Sequence, residues 1–360
     1  MSNNKVALLN DSHWGARNDS LAFLEYFHKF YDNIFFPYLE KNNIRTVIHL
    51  GDIVDRRKFI NYIILNRFKN DFVFRLKKMG IDFHVIIGNH DVPYRNTNDI
   101  NALQELFGVH EGESFPKYYS EATDINIGGT DLCLLPWINN SNYTKSLQHI
   151  KSTRAQIALG HLEIQGFHMN KGMISDHGLK KEILKDFEIV LSGHYHTKSN
   201  QDNIHYLGTQ YEITWSDYND PKGFHILDLE TRELERIVNP YKMFHKIFYN
   251  DKNKTLEELT NYDFDSFKGT YVKVVTIHKE NPYWFDMFLD KLYKSNPENI
   301  SLVDDHKHMD QTSEEDLIDE AEDTMTILTK YIDKIDTEVD KKKLTSLMGT
   351  LYNEALHIDV

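Results

Sequence analysis

The 360-residue sequence has one cysteine and no long hydrophobic run. A single thiol cannot form an internal disulfide or a cysteine-rich zinc site, and Cys133, inside "DLCLLPW", is expected to pack as a small buried hydrophobe. No apolar run approaches the ~18 residues that span a bilayer. The N-terminal "MSNNKVALLND" lacks the basic start and apolar core of a secretory signal. We therefore predict a cytoplasmic protein that does not engage membranes.

An excess of positive charge is also lacking. The net charge is −14, from 41 Lys and Arg against 55 Asp and Glu, which is unusual for a protein that binds a polyanion. Residues 301–360 hold 16 acidic and 6 basic side chains, so the first 300 residues carry only −4. A near-neutral body can bind nucleic acid through local basic patches and bound cations, so the net charge does not exclude that function.

Short apolar strands alternate with longer helical stretches in the first part of the chain. The stretches "KVALLN", "TVIHL", "FHVII" and "DLCLLPW" predict strands, and apolar residues at three-to-four spacing predict helices over about 19–42 and 61–79. This alternation predicts an α/β fold, with helices packed on a parallel or mixed sheet. A β-rich second half is predicted by "AQIALGH", "FEIVLSGH", "IHYLG", "GFHILDL" and "ELERIV".

The character of the sequence changes near residue 240, and we predict four parts. The first domain is 1–240, and 241–296 is a small α+β domain with the strand "TYVKVVTI" and the helix "PYWFDMFLDKLYK". Residues 297–312 are polar and acidic and predict a linker. Residues 313–360 predict a pair of amphipathic helices. Two short helices have little core of their own, so they must dock on this body or on a partner, and we favour a partner.

Polar side chains follow five of the predicted strands at the point where each ends. The segments are "NDSHWG", "HLGDIVDRR", "GNHD", "GHLE" and "GHYHT". Loops at the carboxyl ends of strands in open α/β sheets converge on one crevice, so we expect these side chains to meet in space. The residues concerned are Asp11, His13, Asp52, Asp55, Asn89, His90, Asp91, His161, Glu163, His194 and His196.

Each segment taken alone has a plain structural explanation, as loop polarity, a helix cap or a solvated strand. Five such endings in one chain together predict a metal centre. Carboxylates, imidazoles and an amide, without thiolate, suit Mn²⁺, Fe or Zn²⁺. The ligands are too many for one ion. Two ions need a bridging carboxylate, and two-metal sites of this kind catalyse the hydrolysis of phosphate esters.

The order "DSHWG", "GDIVD", "GNHD", "GHLE" and "GHYH" resembles the five motifs of the calcineurin-like metallophosphoesterases, whose fold is a β-sandwich flanked by helices. Within that superfamily the chain most resembles the SbcD-type DNA repair nucleases, the meiotic recombination 11 family, and their T-even bacteriophage branch. The narrower resemblance is carried by the early first motif, by "YLGTQYEITWSDYNDPKGFHILDLE", and by the small capping-like domain, linker and helical pair at the C-terminal end.

The resemblance implies a ligand set for two Mn²⁺ ions per chain, with Mg²⁺ or another divalent cation as the alternative. One ion would be held by Asp11, His13, Asp52 and His196. The other would be held by Asp52, Asn89, His161 and His194. In this scheme Asp52 is the bridge.

The resemblance also implies roles for the residues around the ions. His90 would stabilise the transition state or protonate the leaving oxygen, with Asp91 orienting its ring. Asp55 is a candidate proton-transfer group, at a position where some relatives have histidine. Glu163 would support the ligands rather than bind metal.

Basic and aromatic residues beside the motifs are candidate contacts for DNA. A solvated surface charge explains each basic residue equally well, and packing is the better explanation for the aromatic residues Trp14 and Tyr195. The basic residues are Arg17, Arg56, Arg57, Lys58, Arg95 and Lys171.

Three partners follow from the resemblance. They are double- or single-stranded DNA, an SbcC-type coiled-coil ATPase bound by the C-terminal helices, and a second copy of the chain. The candidate dimer segment is "NYIILNRFKNDFVFRLKKMG", although core packing alone also explains its pattern.

We therefore predict a Mn²⁺-dependent DNA exonuclease and endonuclease subunit of an SbcCD-like recombination and double-strand-break repair complex. The alternative is a phosphomonoesterase or protein phosphatase on the same fold, because "GDIVDRR" is close to the phosphatase version of that motif. Against it stands Asp91, where protein phosphatases have glutamate. A scaffold without metals is disfavoured, because every expected ligand is present.

Overall fold

The computed structural model describes residues 4–108, 115–170 and 173–304, together with Ile332, Lys341 and Leu344. The chain divides into two compact units, Met1–Ile213 with Asp217–Val303, and Thr214–Ser216 with Asp304–Val360. No helix in the described ranges is both long and apolar enough to cross a membrane.

Fourteen strands are described in the residues before 240. Nine of them match the sequence predictions, and their positions follow the β-branched and aliphatic runs. The fourteen strands are β1 (Lys5–Leu9), β2 (Thr46–His49), β3 (Asp82–Ile86), β4 (Lys117–Tyr119), β5 (Thr123–Ile127), β6 (Thr130–Leu135), β7 (Ile157–Gly160), β8 (His168–Asn170), β9 (Met173–Ile174), β10 (Ile189–Ser192), β11 (Ser199–Gln201), β12 (Ile204–Tyr206), β13 (Gly223–Asp228) and β14 (Leu234–Val238).

Two six-stranded mixed sheets contain most of these strands. The first has the order β14-β13-β1-β2-β3-β4, with β1 to β4 parallel and β13 antiparallel to β1. The second has the order β11-β12-β10-β7-β6-β5, with β6, β7, β10 and β12 parallel and the edge strands β5 and β11 antiparallel to their neighbours. The predicted mixed sheet is therefore confirmed, and the β-rich second half contributes a sheet of its own.

The two sheets pack face to face around one aliphatic core. Leu8 and Ile48 of the first sheet and Leu134, Leu159 and Leu191 of the second belong to a single cluster of fully buried side chains. Burying large aliphatic side chains contributes roughly 1.5–3 kcal/mol each. The β-sandwich implied by the resemblance is confirmed.

Helices cover the outer faces of the sandwich, which is why the central strands are apolar on both sides. The ring of Phe72, from a helix, meets Phe83 of β3 at a centroid distance of 5.6 Å. The helices in this part are α1 (Ala16–Asp19, one turn with left-handed backbone angles), α2 (Leu21–Phe30), α3 (Phe36–Lys41), α4 (Tyr62–Arg67), α5 (Phe74–Lys78), α6 (Ala102–Phe107) and α7 (Tyr143–Ser152).

The two long helices predicted near 19–42 and 61–79 are confirmed as composite helices. The first runs from α2 through the π-helical segment Tyr31–Phe35 into α3, and the second runs from α4 through Phe68–Val73 into α5. Short 3₁₀ segments lie at Lys181–Leu184, Trp215–Asp217 and Phe264–Phe267.

A small three-stranded sheet follows the sandwich. It comprises β15 (Phe244–Asn250), β16 (Tyr271–His278) and β17 (Asn299–Asp304), with the short helix α8 (Leu256–Leu259) between the first two. Helix α9 (Pro282–Lys294) packs Phe288 and Leu292 in one cluster with Val272 and Val274 of β16. The strand and the helix predicted for this region are confirmed.

The predicted linker is wrong at its start. Residues 299–304 form β17 rather than an extended linker, because the short apolar stretch "ISLV" pairs with the small sheet. The rest of the predicted linker, 305–312, lies outside the described residues. So does the predicted helical pair, 313–360, apart from Ile332, Lys341 and Leu344, which are helical.

Candidate metal centre

The carboxyl ends of five parallel strands, three from the first sheet and two from the second, bring seven predicted ligands together. They follow β1, β2, β3, β7 and β10 within one to four residues of each strand end. The structure places at this point Asp11, His13, Asp52, Asn89, His161, His194 and His196.

The seven side chains form two clusters. In the first, ligand atoms of Asp11, His13 and His196 lie within 4.8 Å of one another. In the second, those of Asp52, His161 and His194 do the same. The Oδ1 atom of Asn89 lies 3.0 Å from the Nε2 atom of His161 and so joins the second cluster.

One carboxylate oxygen faces both clusters. The Oδ2 atom of Asp52 lies 3.3 Å from Nε2 of His161 and 3.9 Å from Nε2 of His13. The Nε2 atoms of the buried His13 and the half-buried His196 approach each other to 3.2 Å. Lone pairs at that distance repel each other unless a proton or a cation lies between them. The oxygen and nitrogen donor set fits Mn²⁺, Fe or Zn²⁺.

The ionisation of the centre reflects its burial. Burial would lower the pKa of His13, but the carboxylates of Asp55 and Asp52 raise it to about 9. Burial likewise opposes the charge on His161, and Asp52 raises its pKa to about 9. Burial lowers the pKa of His196 to about 3. The carboxylates therefore favour a proton on His13 and on His161, and a bound metal ion would displace those protons.

Four of the candidate ligands have left-handed backbone angles. The φ angles are 48° at Asp11, 44° at His13, 54° at Asp52 and 84° at His194. A non-glycine residue in a sparsely populated region costs of order 1–3 kcal/mol and persists where surrounding contacts hold it. Such strain clusters at functional sites, and here it falls on residues that would bind metal.

Two glycines let the loops approach closely. A Cβ atom on Gly88 would lie 2.2 Å from the backbone nitrogen of Asp52, and one on Gly51 would lie 2.4 Å from Nδ1 of His161. No side chain fits at either position without moving a ligand. The glycines in "GD" and "GNHD" are therefore explained by packing between loops.

Asp91 binds backbone rather than the His90 ring. Its Oδ2 accepts hydrogen bonds from the amides of Asp52 and Gly88, and its Oδ1 accepts from those of Ile53 and Val54, at 2.8–3.2 Å. The implied role in orienting His90 is not what the structure shows. A buried carboxylate with both oxygens used by four amides has no geometry left for a neighbouring ring.

The His90 ring is oriented by Asp55 instead. Nδ1 of His90 lies 2.6 Å from the carbonyl oxygen of Asp55, and the amide of His90 donates to Oδ1 of Asp52 at 2.7 Å. The carboxylate of Asp55 lies 3.1 Å from Nδ1 of His13. Asp55 therefore contacts a ligand through its side chain and His90 through its backbone.

The remaining candidates fall outside the two clusters. Trp14 and Tyr195 are 1% and 2% exposed, so packing, the favoured explanation, is confirmed for both. Arg56 pairs with Asp19 at 3.1 Å, and Arg95 is exposed. Glu163 is half-buried, and burial raises its pKa. Lys171 lies outside the described residues.

Sequence reasoning missed two residues that support the centre. The ring of Trp137 lies 5.3 Å from that of His194, and the strand-end position of "LLPW" was a usable signal. Lys222, whose side chain is 2% exposed, donates to the carbonyl oxygen of His196 at 2.9 Å and pairs with Asp217 at 2.5 Å. A lysine 26 residues from His196 gave no sequence signal of this contact.

Comparison with known proteins identifies the family of this chain. The family model for calcineurin-like phosphoesterases matches residues 4–198. Exonuclease subunit 1 of Enterobacteria phage T4 is 35% identical over 321 residues, covering 88% of this chain and 90% of the relative.

Two further relatives match more weakly. The SbcD subunit of the SbcCD nuclease of Staphylococcus epidermidis is 24% identical over 347 residues, covering 73% of this chain and 88% of the relative. DNA double-strand break repair protein Mre11 of Methanococcus maripaludis is 24% identical over 321 residues, covering 82% and 81%. The family match and the similarity to the phage protein over nearly the whole chain establish that this chain belongs to the calcineurin-like phosphoesterase family.

Proposed function

We propose that this protein is a metal-dependent nuclease that hydrolyses phosphodiester bonds in DNA with two divalent cations. The observation that carries this proposal is the position of Asp52, whose Oδ2 atom faces one histidine of each ligand cluster. The choice of DNA rests on the relatives, which are named as an exonuclease subunit, a nuclease subunit and a break repair protein.

The two clusters supply the proposed ligand sets, with Asp52 in both. One set is Asp11, His13, Asp52 and His196. The other set is Asp52, Asn89, His161 and His194. Ions bound there polarise the phosphodiester and lower the pKa of an attacking water. We propose Mn²⁺ as the working metal, because the donor set accommodates it and the resemblance to the SbcD-type nucleases implies it.

His90 is proposed as the proton-transfer residue. A carbonyl oxygen only accepts, so the contact with Asp55 requires a proton on Nδ1 of His90 and leaves Nε2 to exchange a proton with the substrate. Asp55 acts as a positioning residue for both His90 and His13. Asp91 holds the loops that carry Asp52 and His90.

The protein is further proposed to work as a subunit in the bacterial or phage-infected cytoplasm. The names of two relatives identify them as subunits, and we propose an SbcC-type ATPase as the partner of the helical pair that the sequence predicts over 313–360. An exposed apolar face supports a homodimer. Tyr62 is 86% exposed and Ile63 is 56% exposed at the start of α4, whereas Ile64 and Phe68 pack in the core.

The test is nuclease activity on linear double- and single-stranded DNA, with a diester and a monoester of p-nitrophenol as small substrates. We expect DNA cleavage that requires Mn²⁺ and falls ~10²-fold or more in His90→Ala. His177→Ala is the matched control, because its side chain is 81% exposed and lies outside the clusters.

Two results would contradict the proposal. Rapid hydrolysis of the monoester without cleavage of any DNA, with or without the ATPase partner, would identify a phosphatase. DNA cleavage that persists both after chelation of the metal and in His90→Ala would show that the metal centre does not catalyse the reaction.

A further inference from the structure

A second group of side chains of the types that can bind metal lies apart from the phosphoesterase ligands, on the outer face of the second sheet. Asp124 is on β5, Cys133 is on β6 and His149 is on α7. Asp124 and Cys133 are directly opposite in the antiparallel ladder, so their side chains share a face. One ligand atom from each of the three residues lies within 4.8 Å of the others.

We propose that Asp124, Cys133 and His149 bind one zinc-like divalent cation, which clips α7 to the β5–β6 edge of the second sheet. A thiolate, an imidazole and a carboxylate form a softer set than the oxygen and nitrogen ligands of the phosphoesterase centre. That set suits Zn²⁺, which takes four ligands in a tetrahedral arrangement. Water completes the coordination.

Hydrogen bonds orient two of the three side chains, those of Asp124 and His149, for this role. Nε2 of His149 lies 2.8 Å from Oδ1 of Asp124. The other oxygen, Oδ2, accepts a hydrogen bond of 2.8 Å from the hydroxyl of Thr153. A partner on the second oxygen fixes the direction of a ligating carboxylate. The same compact spacing occurs in the phosphoesterase centre, where Asn89 and His161 approach to 3.0 Å.

One of the three proposed ligands is buried, and the other two are partly exposed to solvent. Cys133 is fully buried in the cluster that also contains Ile150 of α7. The side chains of Asp124 and His149 are 37% and 27% exposed. A cation can therefore enter from solvent past Asp124 and His149, and its fourth position faces water.

Binding exchanges a proton for the cation. Burial raises the pKa of the Cys133 thiol, and the Asp124 carboxylate adds to the effect, so the metal-free thiol is protonated. On binding, the S–H bond breaks, the proton passes to water and a sulfur–metal bond forms. No oxidant or reductant is needed.

The proposed site would restrain a segment next to the phosphoesterase centre. Helix α7 begins six residues after Trp137, whose ring packs against His194. Fixing α7 to the sheet edge restrains the loop between them. This role is structural and does not depend on the proposed nuclease activity.

The single cysteine makes the test specific. Metal-free protein is titrated with Co²⁺, and the thiolate-to-cobalt charge-transfer band is recorded, which no oxygen or nitrogen ligand gives. We expect a band that saturates at about one equivalent of cobalt bound through sulfur, and that is absent from Cys133→Ser. Zn²⁺ should displace the cobalt and remove the band.

His149→Gln provides a variant that is expected to fold, because the side chain is part-exposed. It should weaken the apparent cobalt affinity of the sulfur site by ~10- to 100-fold or more. His177→Gln is the matched control, since His177 also contacts an aspartate, at 3.0 Å, but is exposed. Absence of the band in wild type would overturn the proposal, and so would a band of unchanged affinity in His149→Gln.

Discussion

The backbone amide of Asp52 donates a hydrogen bond of 2.9 Å to the Oδ2 atom of Asp91. The two residues come from loops after different strands, so this bond ties the loop of the proposed bridging ligand to the loop that carries His90. Asp52 has a left-handed backbone, with φ 54°. A fixed acceptor on its amide is one of the contacts that hold that conformation in place.

Asp91→Asn should destabilise the protein and weaken metal binding. Each carboxylate oxygen accepts two amides, and an asparagine side chain can offer an oxygen on one side only, so two buried N–H groups lose their acceptor. An unsatisfied buried donor costs about 1–3 kcal/mol. Urea unfolding measures the change, with the exposed Asp99→Asn as control. Equal stability of the two variants would contradict the proposed role.

Asp52→Asn should weaken the binding of both ions, whereas His196→Ala should weaken one. The reason is that Asp52 faces histidines of both clusters, and His196 contacts a single cluster. We expect losses of roughly 10- to 100-fold or more per affected site. Titration calorimetry with Mn²⁺ gives the stoichiometry. If Asp52→Asn kept one site at full affinity, the bridge would be wrong.

Lys222→Met should destabilise the protein by roughly 3–5 kcal/mol, because it removes the ammonium group that neutralises the buried carboxylate of Asp217. The double variant Lys222→Met/Asp217→Asn should recover part of that loss. Lys181→Met is the control, since its ion pair with Asp202 lies at the surface, where water screens the two charges. Thermal or urea unfolding of all three variants measures these differences in stability. A double variant less stable than Lys222→Met would contradict the proposed pairing of Lys222 with Asp217.

Glu212 should make stability fall as the pH rises from about 5 to 8. Burial raises its pKa to about 7, although its Oε2 accepts the amides of Met243 and Phe244. The folded state therefore holds the proton more tightly than the unfolded chain, whose glutamate titrates near 4.3. The resulting stability is fully present at low pH and is lost as the pH passes through about 7.

The comparison that isolates this effect is wild type against Glu212→Gln. The amide oxygen of glutamine can accept the same two hydrogen bonds and does not titrate. The free energy of unfolding of the variant, relative to that of wild type, should therefore rise by roughly 2–3 kcal/mol between pH 5 and pH 8. Urea unfolding at both pH values measures the difference. Glu233→Gln, at an exposed position, should show no such change. Identical pH profiles of stability for wild type and Glu212→Gln would contradict the assignment of the pH dependence to Glu212.

Much of the fold followed from hydrophobic periodicity. The strands before residue 240 with strong aliphatic runs and the two long helices were predictable, because their patterns are set by neighbours in the sequence. Short edge strands such as β4 and β11 were not, since three residues carry too little pattern. Strand β17 was not predicted, because the acidic residues around it are typical of a linker. It forms a strand because it pairs with the small sheet.

The ligand set was also readable, because glycine and polar residues at strand ends stand out against apolar runs. The supporting contacts were not. Asp91 was expected beside the His90 ring and instead accepts four amides, since the approach of two loops decides which donors reach it. Lys222 reaches the centre through tertiary packing alone, whereas the strand-end position of Trp137 was a signal that the sequence offered.

The sequence by itself determined the strands with aliphatic runs, the two long helices, the kinds of ligand and their positions at strand ends, because alternation of apolar and polar residues is a local property. The tertiary structure alone decided that Asp52 stands between two clusters and that Cys133 meets Asp124 and His149. Those relationships depend on how two sheets and a helix pack, and distances between residues so far apart in the chain are fixed by that packing.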